Sequence, residues 1–328
     1  MKHVFRFLMA LALGIALAGC NGRQNKSGQS SAEKHRASKA LPRIGVSVPS
    51  QDHGWTGGVV WWAEKTREEM TNCKITVTTA KDSAEQVNQI ENLLVQGIDA
   101  LVVLPQEPGP LTRICEQVAK QGVYLVVVDR NIEKEVQNLT VVGDNPGFGR
   151  VCAEELVKCL GGKGNIVIME GMPCQVNTDR VGAFRAVVDK YPDIHVLDSQ
   201  PADWNTEKAL KLMENYLQKH SKIDALWTGD DDLLIGALKA YSESGRKDIR
   251  FLVGGAGSKA IVKMVLDKNP LVPFDVTYPP RMIQTGIELA AKHLTGKLDE
   301  NFPKRLVVPA QAITPANAHE YYYPDSVY

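Results

Sequence analysis

From residue 42 onward, short apolar runs alternate regularly with amphipathic segments. The apolar runs, which are predicted strands, lie at 44–48, 75–79, 100–104, 124–128 and 140–143. The segments between them carry apolar residues at helical spacing, as Val87, Ile90 and Leu94 do. Strands that alternate with helices form βαβ units around a parallel sheet, so the pattern predicts an α/β fold.

The same alternation starts again after residue 144. The further predicted strands lie at 165–169, 195–198, 225–228, 251–254 and 272–276. This number of strands exceeds one usual core, so we expect two doubly wound, Rossmann-like parallel-sheet lobes in series. A helix at 282–294 and a strand at 306–308 follow, and they could return to complete the first half across a hinge with several chain crossings.

These patterns predict a domain organisation. The predicted units are a signal peptide (1–20), a flexible tether (21–41), an N-terminal lobe (42–143 plus 278–304) and a C-terminal lobe with a tail (144–277 plus 305–328). The tail is rich in tyrosine, and we expect part of it to pack.

The N-terminus indicates export. Lys2 and Arg6 precede an apolar run at 7–18, which as a helix of about 18 Å is too short to span a bilayer. The sequence Leu-Ala-Gly-Cys that ends at Cys20 is typical of a bacterial lipobox, in which Cys20 is lipidated. A plain cleaved export signal with an incidental cysteine is the alternative. We therefore expect a lipid-anchored protein of the cell envelope, periplasmic if the cell has two membranes.

Composition argues against other classes of function. The 328 residues include 38 basic and 38 acidic side chains, so no net charge favours nucleic acid. The five cysteines after Cys20 are odd in number and lack paired spacing, which predicts buried thiols rather than a disulfide framework or a zinc site. His53 has no nucleophile beside it, so we expect no enzyme, cofactor or metal.

The first candidate site follows the strand at 124–128, where Val128 gives way to Asp129 and Arg130. Ligands of open parallel sheets bind beyond the carboxyl ends of the strands. A carboxylate beside a guanidinium suits a molecule with neighbouring hydroxyl groups, although a surface ion pair is the alternative.

Five motifs resemble the substrate-binding proteins of bacterial sugar transporters, in the ribose-receptor branch of that class. They are V-V-D-R-N at 127–131, G-D-N at 143–145, R-V-G-A-F at 180–184, S-Q-P-A-D-W at 199–204 and D-D-D-L-L-I-G-A-L at 230–238. The resemblance covers about residues 43–308. It implies hinge segments near 143–145, 276–278 and 304–308.

The resemblance also implies roles for individual residues. Asp129, Arg130 and Arg180 match positions that hold sugar hydroxyls, and Trp55 and Trp204 match the phenylalanines that sandwich the sugar ring, although both could be core residues. Asp230 matches an asparagine of ribose receptors, and we assign Asp231 and Asp232 to helix capping rather than to a metal.

Other positions depart from the ribose-receptor pattern. Ala256 replaces an aspartate, Leu104 an asparagine and Thr277 a glutamine, while the segment that contains Asp52 and His53 replaces N-N-P-F. A hydrogen bond from His53 to a ligand hydroxyl and simple loop exposure are both open. We expect a monosaccharide other than ribose, or a linear sugar alcohol.

The predicted protein is thus a monomeric solute-binding protein that passes its ligand to the permease subunits of an ABC transporter. A sensory receptor that presents the ligand to a membrane kinase or chemoreceptor is one alternative. An exported enzyme that acts on a sugar is another.

Overall fold

The computed structural model describes residues 40–50 and 54–328. Its strands are β1 (Arg43–Pro49), β2 (Lys74–Ala80), β3 (Ala100–Val103), β4 (Tyr124–Val128), β5 (Leu139–Gly143), β6 (Gly164–Glu170), β7 (Ile194–Pro201), β8 (Ala225–Thr228), β9 (Phe251–Val253), β10 (Asp275–Val276), β11 (Arg305–Val308) and β12 (Ala312–Ile313). Its helices are α1 (Gly54–Glu69), α2 (Ser83–Val95), α3 (Pro108–Lys120), α4 (Asn145–Leu160), α5 (Gln175–Val188), α6 (Thr206–Lys219), α7 (Asp231–Glu243), α8 (Lys259–Leu266) and α9 (Met282–Leu294), followed by a 3₁₀ turn (Ala318–Glu320).

Two parallel sheets organise this part of the chain. The first has the strand order β11-β5-β4-β3-β1-β2 and the second β7-β6-β8-β9. Every residue of β3 and β5 is buried, because helices cover both faces of the first sheet. The prediction of two doubly wound parallel sheets is confirmed. We call the first sheet with α1–α3 and α9 the first lobe, and the second sheet with α4–α8 the second lobe.

The described chain passes between the two sheets at three places. It leaves β5 for α4, returns from β10 to α9, and leaves β11 for β12. The second and third passages pair with each other, because β10 and β12 form a two-stranded antiparallel sheet. That small sheet holds two of the crossing segments together.

The strand pairing corrects the prediction for residues 305–308. The predicted boundaries placed them in the C-terminal lobe and within a hinge segment, whereas β11 pairs along its whole length with β5 of the first sheet. This pairing confirms the other expectation for the segment, that a strand at 306–308 returns to complete the first half. The boundary was wrong because β11 is an edge strand whose alternate residues are exposed, so its short apolar pattern indicates a strand but does not decide which sheet the strand joins. The third crossing therefore lies after Val308.

The structure also describes the thiols and the tail. Cys73, Cys115 and Cys152 are buried and unbridged, as predicted, while Cys159 and Cys174 are half-buried. The tail packs in part: the ring of Tyr323 meets Trp62 edge-on at 5.1 Å. Among the described residues, no helix has both the length and the apolar character that a bilayer crossing requires. The proposed lipidation site Cys20 lies outside the described residues.

Candidate ligand-binding site

Tyr278 is the centre of a polar network between the two lobes. Its hydroxyl donates a hydrogen bond to Asp129 Oδ1 at 2.5 Å, and it accepts one from Asn145 Nδ2 at 3.3 Å. Asp129 follows β4 of the first sheet, whereas Asn145 is the first residue of α4 in the second lobe. Tyr278 lies just after β10, in the second crossing. The network therefore joins both lobes to the segment that connects them.

Arg180 extends the network into the second lobe. Its Nε donates to Asn145 Oδ1 at 2.9 Å, and its Nη1 donates to the carbonyl oxygen of Gly229 at 2.7 Å. The guanidinium lies 4.2 Å from the ring centres of both Phe148 and Tyr278, and the residue is only 4% exposed. Aromatic faces and carbonyl oxygens thus stabilise this buried charge.

Arg180 has no carboxylate partner among residues 40–50 and 54–328. Among the described residues, the ion pairs within 4 Å do not include Arg180. A guanidinium carries five N–H donors, and the hydrogen bonds above use one on Nε and one on Nη1. The arrangement can therefore donate further hydrogen bonds to oxygen atoms of a bound molecule.

Asp129 has an uncommon backbone conformation that aims its side chain. Its φ is +61°, and its N–H donates to the carbonyl oxygen of Val141 on the neighbouring strand. Left-handed conformations are found for aspartate more often than for most residues, because its short side chain tolerates them. The carboxylate is almost fully buried and faces Tyr278. Burial of Tyr278 and the nearby Asp129 charge raise the pKa of the Tyr278 hydroxyl, which therefore stays a donor.

Arg130 is directed to the backbone rather than into the network. Its Nη1 donates to the carbonyl oxygens of Gln106 at 2.9 Å and Pro105 at 3.4 Å, after β3. Its Nε lies 4.0 Å from Asp129 Oδ2. Asp129 and Arg130 are thus neighbours at the end of β4, but the guanidinium also anchors the adjacent loop.

Trp55 brings α1 into the same region. Its indole Nε1 donates to the carbonyl oxygen of Tyr278 at 2.9 Å, and the two rings lie 5.9 Å apart. Its backbone N–H donates to Asp232 Oδ2 at 3.4 Å, a contact between the first lobe and α7. Trp55 is therefore a buried residue that touches both the crossing segment and the second lobe.

Trp204 lies on the second lobe, where the chain turns twice through left-handed conformations. The φ angles are +55° for Asp203 and +53° for Trp204. The indole covers Gly171, directly after β6, so closely that a Cβ atom on Gly171 would overlap the ring. Gly171 is in turn close to Gly229, whose carbonyl oxygen accepts from Arg180. Trp204 is half-buried, which suits a ring that contacts a ligand on its other side.

The structure corrects the capping role that was assigned to Asp231 and Asp232 at the start of α7, whereas the predicted ligand contact of Asp230 stays a prediction. Asp230 is itself the N-cap, because its Oδ1 accepts from Leu233 N at 3.0 Å. Asp232 accepts from Trp55, as described above. Asp231 accepts from the N–H groups of Gly255 and Ser258 and lies entirely within the second lobe. The capping role thus belongs to Asp230, since the first residue of the run, not the second, has the extended backbone that a cap requires.

Asp231 and Asp275 form a fully buried pair of carboxyl groups. Asp275 accepts from the N–H groups of Gly257 and Val276, and a hydrogen bond links it to Asp231. Burial raises the pKa of Asp275 to about 7, and burial together with the Asp275 charge raises the pKa of Asp231 well above its usual range. Two adjacent carboxyl groups in a low dielectric cannot both be ionised, so we infer that they share a proton at neutral pH.

Thr277 is buried beside this pair. Its hydroxyl accepts from Gln311 N at 3.0 Å, and its N–H donates to the carbonyl oxygen of Gln311 at 2.9 Å. It thus joins the second and third crossings and pairs with Ala256 in an isolated bridge. Its predicted contact with a ligand stays a prediction.

The structure therefore brings most of the predicted site residues together. Trp55, Asp129 and Arg180 are linked through Tyr278, and Trp204 and Asp230 flank the Arg180 contact with Gly229. Asp52 and His53 lie outside the described residues. In the described chain, no group of three or more histidine, cysteine, aspartate or glutamate side chains is arranged to hold a metal ion.

Sequence reasoning missed Tyr278 and Asn145 as site residues. Both lie in segments that were interpreted only as hinges. The available signal was a tyrosine directly before Pro279 and Pro280, where a polar aromatic residue interrupts an apolar strand. Its partners are 149 and 133 residues away in the sequence, so no local pattern indicates them.

Comparison with known proteins gives a consistent result. Residues 44–298 match the periplasmic binding protein domain family. The chain is 29% identical over 256 residues to the ribose import binding protein of Bacillus subtilis, which covers 77% of this chain and 82% of that protein. It is 29% identical over 241 residues to the xylitol-binding protein of Mycolicibacterium smegmatis, which covers 73% of this chain and 66% of that protein.

A solved structure has the same fold. The fructose-binding periplasmic domain of a hybrid two-component system superimposes with a TM-score of 0.72 at 27% identity. The match covers 85% of this chain and 92% of that domain. Similar proteins thus include an import binding protein and the periplasmic domain of a two-component system.

Proposed function

Because this chain belongs to the periplasmic binding protein family, we propose that it captures a monosaccharide or a sugar alcohol between its lobes and delivers it to an ABC-type permease. The observation that carries the proposal is the hydrogen-bonded path from Arg180 through Asn145 and Tyr278 to Asp129. This path connects Arg180, a hydrogen-bond donor of the second lobe, with Asp129, an acceptor of the first lobe. A small molecule with several hydroxyl groups can engage both.

The donor and acceptor set suits hydroxyl groups. Asp129 accepts hydrogen bonds, Arg180 and Arg130 donate them, and a hydroxyl group can do either. Trp55 and Trp204 supply apolar faces for the C–H groups of a sugar, each worth about 1 kcal/mol beyond the area that it buries. In this proposal Asp52, His53, Asp230 and Thr277 complete the ligand contacts.

The departures from the ribose-receptor pattern narrow the range of candidate ligands. Ala256 and Leu104 carry no polar side-chain atoms, and both are buried. These side chains give a hydroxyl group no hydrogen-bond partner. A ligand with fewer hydroxyl groups at those points, or a more flexible ligand, therefore loses fewer hydrogen bonds on binding than ribose does. The xylitol-binding relative supports the inclusion of linear sugar alcohols in the proposal.

Ligand binding then favours closure of the lobes about the crossings. A ligand shifts a conformational equilibrium only by its difference in affinity for the two states. One that bonds to both Asp129 and Arg180 binds the closed state better and so stabilises it. The permease partner would recognise that closed state.

Several further features belong to the proposal. In this proposal the lobes have the predicted boundaries, except that β11 belongs to the first lobe. The protein acts as a monomer without cofactor or catalysis. Lipidation at Cys20 would hold it at the outer face of the membrane. Import then begins with capture close to the permease.

A sensory role is the second candidate. It is favoured by the likeness to the fructose-binding domain of a hybrid two-component system. The same closure would then be transmitted to a membrane kinase. Co-purification from detergent-solubilised membranes distinguishes the two, because it recovers either permease subunits or a kinase.

A thermal-shift screen tests the proposal. The mature protein is mixed with millimolar pentoses, hexoses, inositols and linear polyols. A ligand at one hundred times its Kd adds about 2.7 kcal/mol to the free energy of unfolding, which raises Tm measurably. Calorimetry on the best compound then gives its affinity and stoichiometry. If no compound of these classes raises Tm, the proposal is wrong.

A further inference from the structure

The last eight residues of the sequence run from the second lobe to the first. On the second lobe, the Nζ atom of Lys259, at the start of α8, donates to the carbonyl oxygens of Pro324 and Ser326. Tyr321 donates from its hydroxyl to Gln311 Oε1 at 2.9 Å, beside the third crossing. The segment is thus attached to the second lobe and to the crossings by several hydrogen bonds.

The same segment reaches the first lobe through two tyrosines. The ring of Tyr323 meets Trp62 on α1 edge-on at 5.1 Å. Tyr328 packs on α1 beside Pro280, which precedes α9, and it is only 7% exposed. The segment therefore contacts α1 directly and lies next to the start of α9.

A pair of glycines makes room for Tyr328. Gly54 and Gly58 are four residues apart on α1, so they lie on one face of the helix. A Cβ atom on Gly54 would lie 2.9 Å from Tyr328 Cδ2, and one on Gly58 would lie 2.9 Å from Tyr328 Cβ. Real Cβ atoms do not approach so closely, so the two glycines are required for this contact.

The contact lies where the lobes meet. A Cβ atom on Gly54 would also overlap the carboxylate of Asp232 on α7, whose Oδ2 accepts from Trp55 N at 3.4 Å. Tyr328 is therefore close to both α1 of the first lobe and the acidic start of α7 in the second. Burial and the charges of Asp231, Asp232, Asp230 and Asp275 raise the pKa of its hydroxyl.

The hydroxyl of Tyr328 is buried but makes no hydrogen bond within the described chain. An unsatisfied buried hydroxyl costs free energy, whereas burial of the ring is favourable. The two effects oppose each other in one side chain. The hydroxyl therefore weakens a contact that burial of the ring stabilises.

We propose that residues 321–328 form an interlobe strap that shifts the lobes toward the closed arrangement, with Tyr328 as its contact with α1. The strap limits how far the ligand-free protein opens. Its effect on ligand affinity rests on the function proposed above, whereas its effect on lobe separation does not. We name this segment the C-terminal strap.

Two substitutions at Tyr328 test the C-terminal strap with opposite expected signs. Tyr328→Ala removes the ring, so the ligand-free protein should have a larger radius of gyration in X-ray scattering and faster hydrogen exchange at the Trp55 amide. Tyr328→Phe keeps the ring and removes the unpaired hydroxyl, so exchange at Trp55 should slow about fivefold or more. Tyr191→Ala, on an exposed ring of the second lobe, is the control and should change neither measurement.

A third variant guards against misfolding. Lys259→Met removes the second-lobe anchor without touching the core around Tyr328, and it should act in the direction of Tyr328→Ala. Wild-type scattering and exchange in folded Tyr328→Ala, or in Lys259→Met if the former does not fold, would overturn the proposal. Unchanged or faster exchange in Tyr328→Phe would overturn it as well. All these measurements use ligand-free protein. They therefore test the C-terminal strap even if the ligand screen fails.

Discussion

The Tyr278 hydroxyl and Asp129 Oδ1 are joined by a hydrogen bond of 2.5 Å between residues 149 positions apart. Tyr278 belongs to the second crossing, and Asp129 ends β4 of the first sheet. The bond therefore ties the crossing segment to the side chain that we propose as the main acceptor for ligand hydroxyl groups. In the proposed function, this bond couples movement of the crossing to occupancy of the site.

Replacement of Tyr278 by phenylalanine tests that relationship. The Asp129 carboxylate is almost fully buried, so loss of its donor should cost about 1–3 kcal/mol of folding free energy and lower Tm by several degrees. Ligand affinity should fall because the carboxylate loses its orientation. Calorimetry and thermal unfolding measure both effects. The control Tyr191→Phe alters an exposed ring, and equal behaviour of the two variants would contradict the assigned role.

Replacement of Arg180 by lysine keeps the charge and removes the planar fork. Lysine cannot bond simultaneously to Asn145 and Gly229 in the geometry that the guanidinium uses. We expect at least about tenfold weaker ligand binding, which corresponds to roughly 1.4 kcal/mol. Arg150→Lys, on the exposed side of α4, is the matched control. Wild-type affinity in a folded Arg180→Lys protein would place the ligand elsewhere.

Stability should decrease as pH rises from about 4 to 7. The folded-state pKa of Asp275, about 7, is above its unfolded value of 3.8, so the folded state binds the extra proton between these limits. The stabilising contribution is complete below the unfolded pKa and is lost as pH rises through the folded pKa. Thermal unfolding of Asp275→Asn should depend less on pH in this window. Asp267→Asn, at an exposed ion pair, should retain the wild-type profile.

Gly171→Ala should disturb the placement of Trp204. The new methyl group would overlap the indole ring, and overpacking of this kind costs about 1–3 kcal/mol. We expect lower Tm and weaker ligand binding. Gly182→Ala is the control, because nothing lies within 4 Å of its Cβ position and alanine favours the α5 helix. If Gly171→Ala binds ligand as tightly as the wild type, Trp204 does not form a wall of the site.

Cys20→Ser tests the lipid anchor. The wild-type protein, expressed in a bacterium, should partition into detergent and incorporate labelled fatty acid. The serine variant should do neither, because only a thiol forms the thioether to the lipid. Equal aqueous partitioning of both proteins would favour the plain export signal instead.

Local sequence patterns predicted the sheet architecture and several residues of the candidate site. Apolar runs such as 124–128 are buried on both faces, so their position is readable from the residues alone. The charged pair after that strand also lies where the parallel-sheet rule expects it. The predicted boundaries put edge strand β11 in the wrong lobe, although its return to the first half was also expected. A half-exposed strand of four residues carries too little apolar pattern to decide its partner.

The tertiary structure alone decided which side chains meet. Tyr278 bonds to Asp129, and Tyr328 packs against Gly54 and Gly58, although these residues are far apart in the sequence. The sequence by itself determined two parallel sheets with polar residues at their carboxyl ends, since burial on both faces and the abrupt change to charge are local properties. Contacts between the lobes depend on how three crossings bring distant segments together, and no local property encodes that geometry.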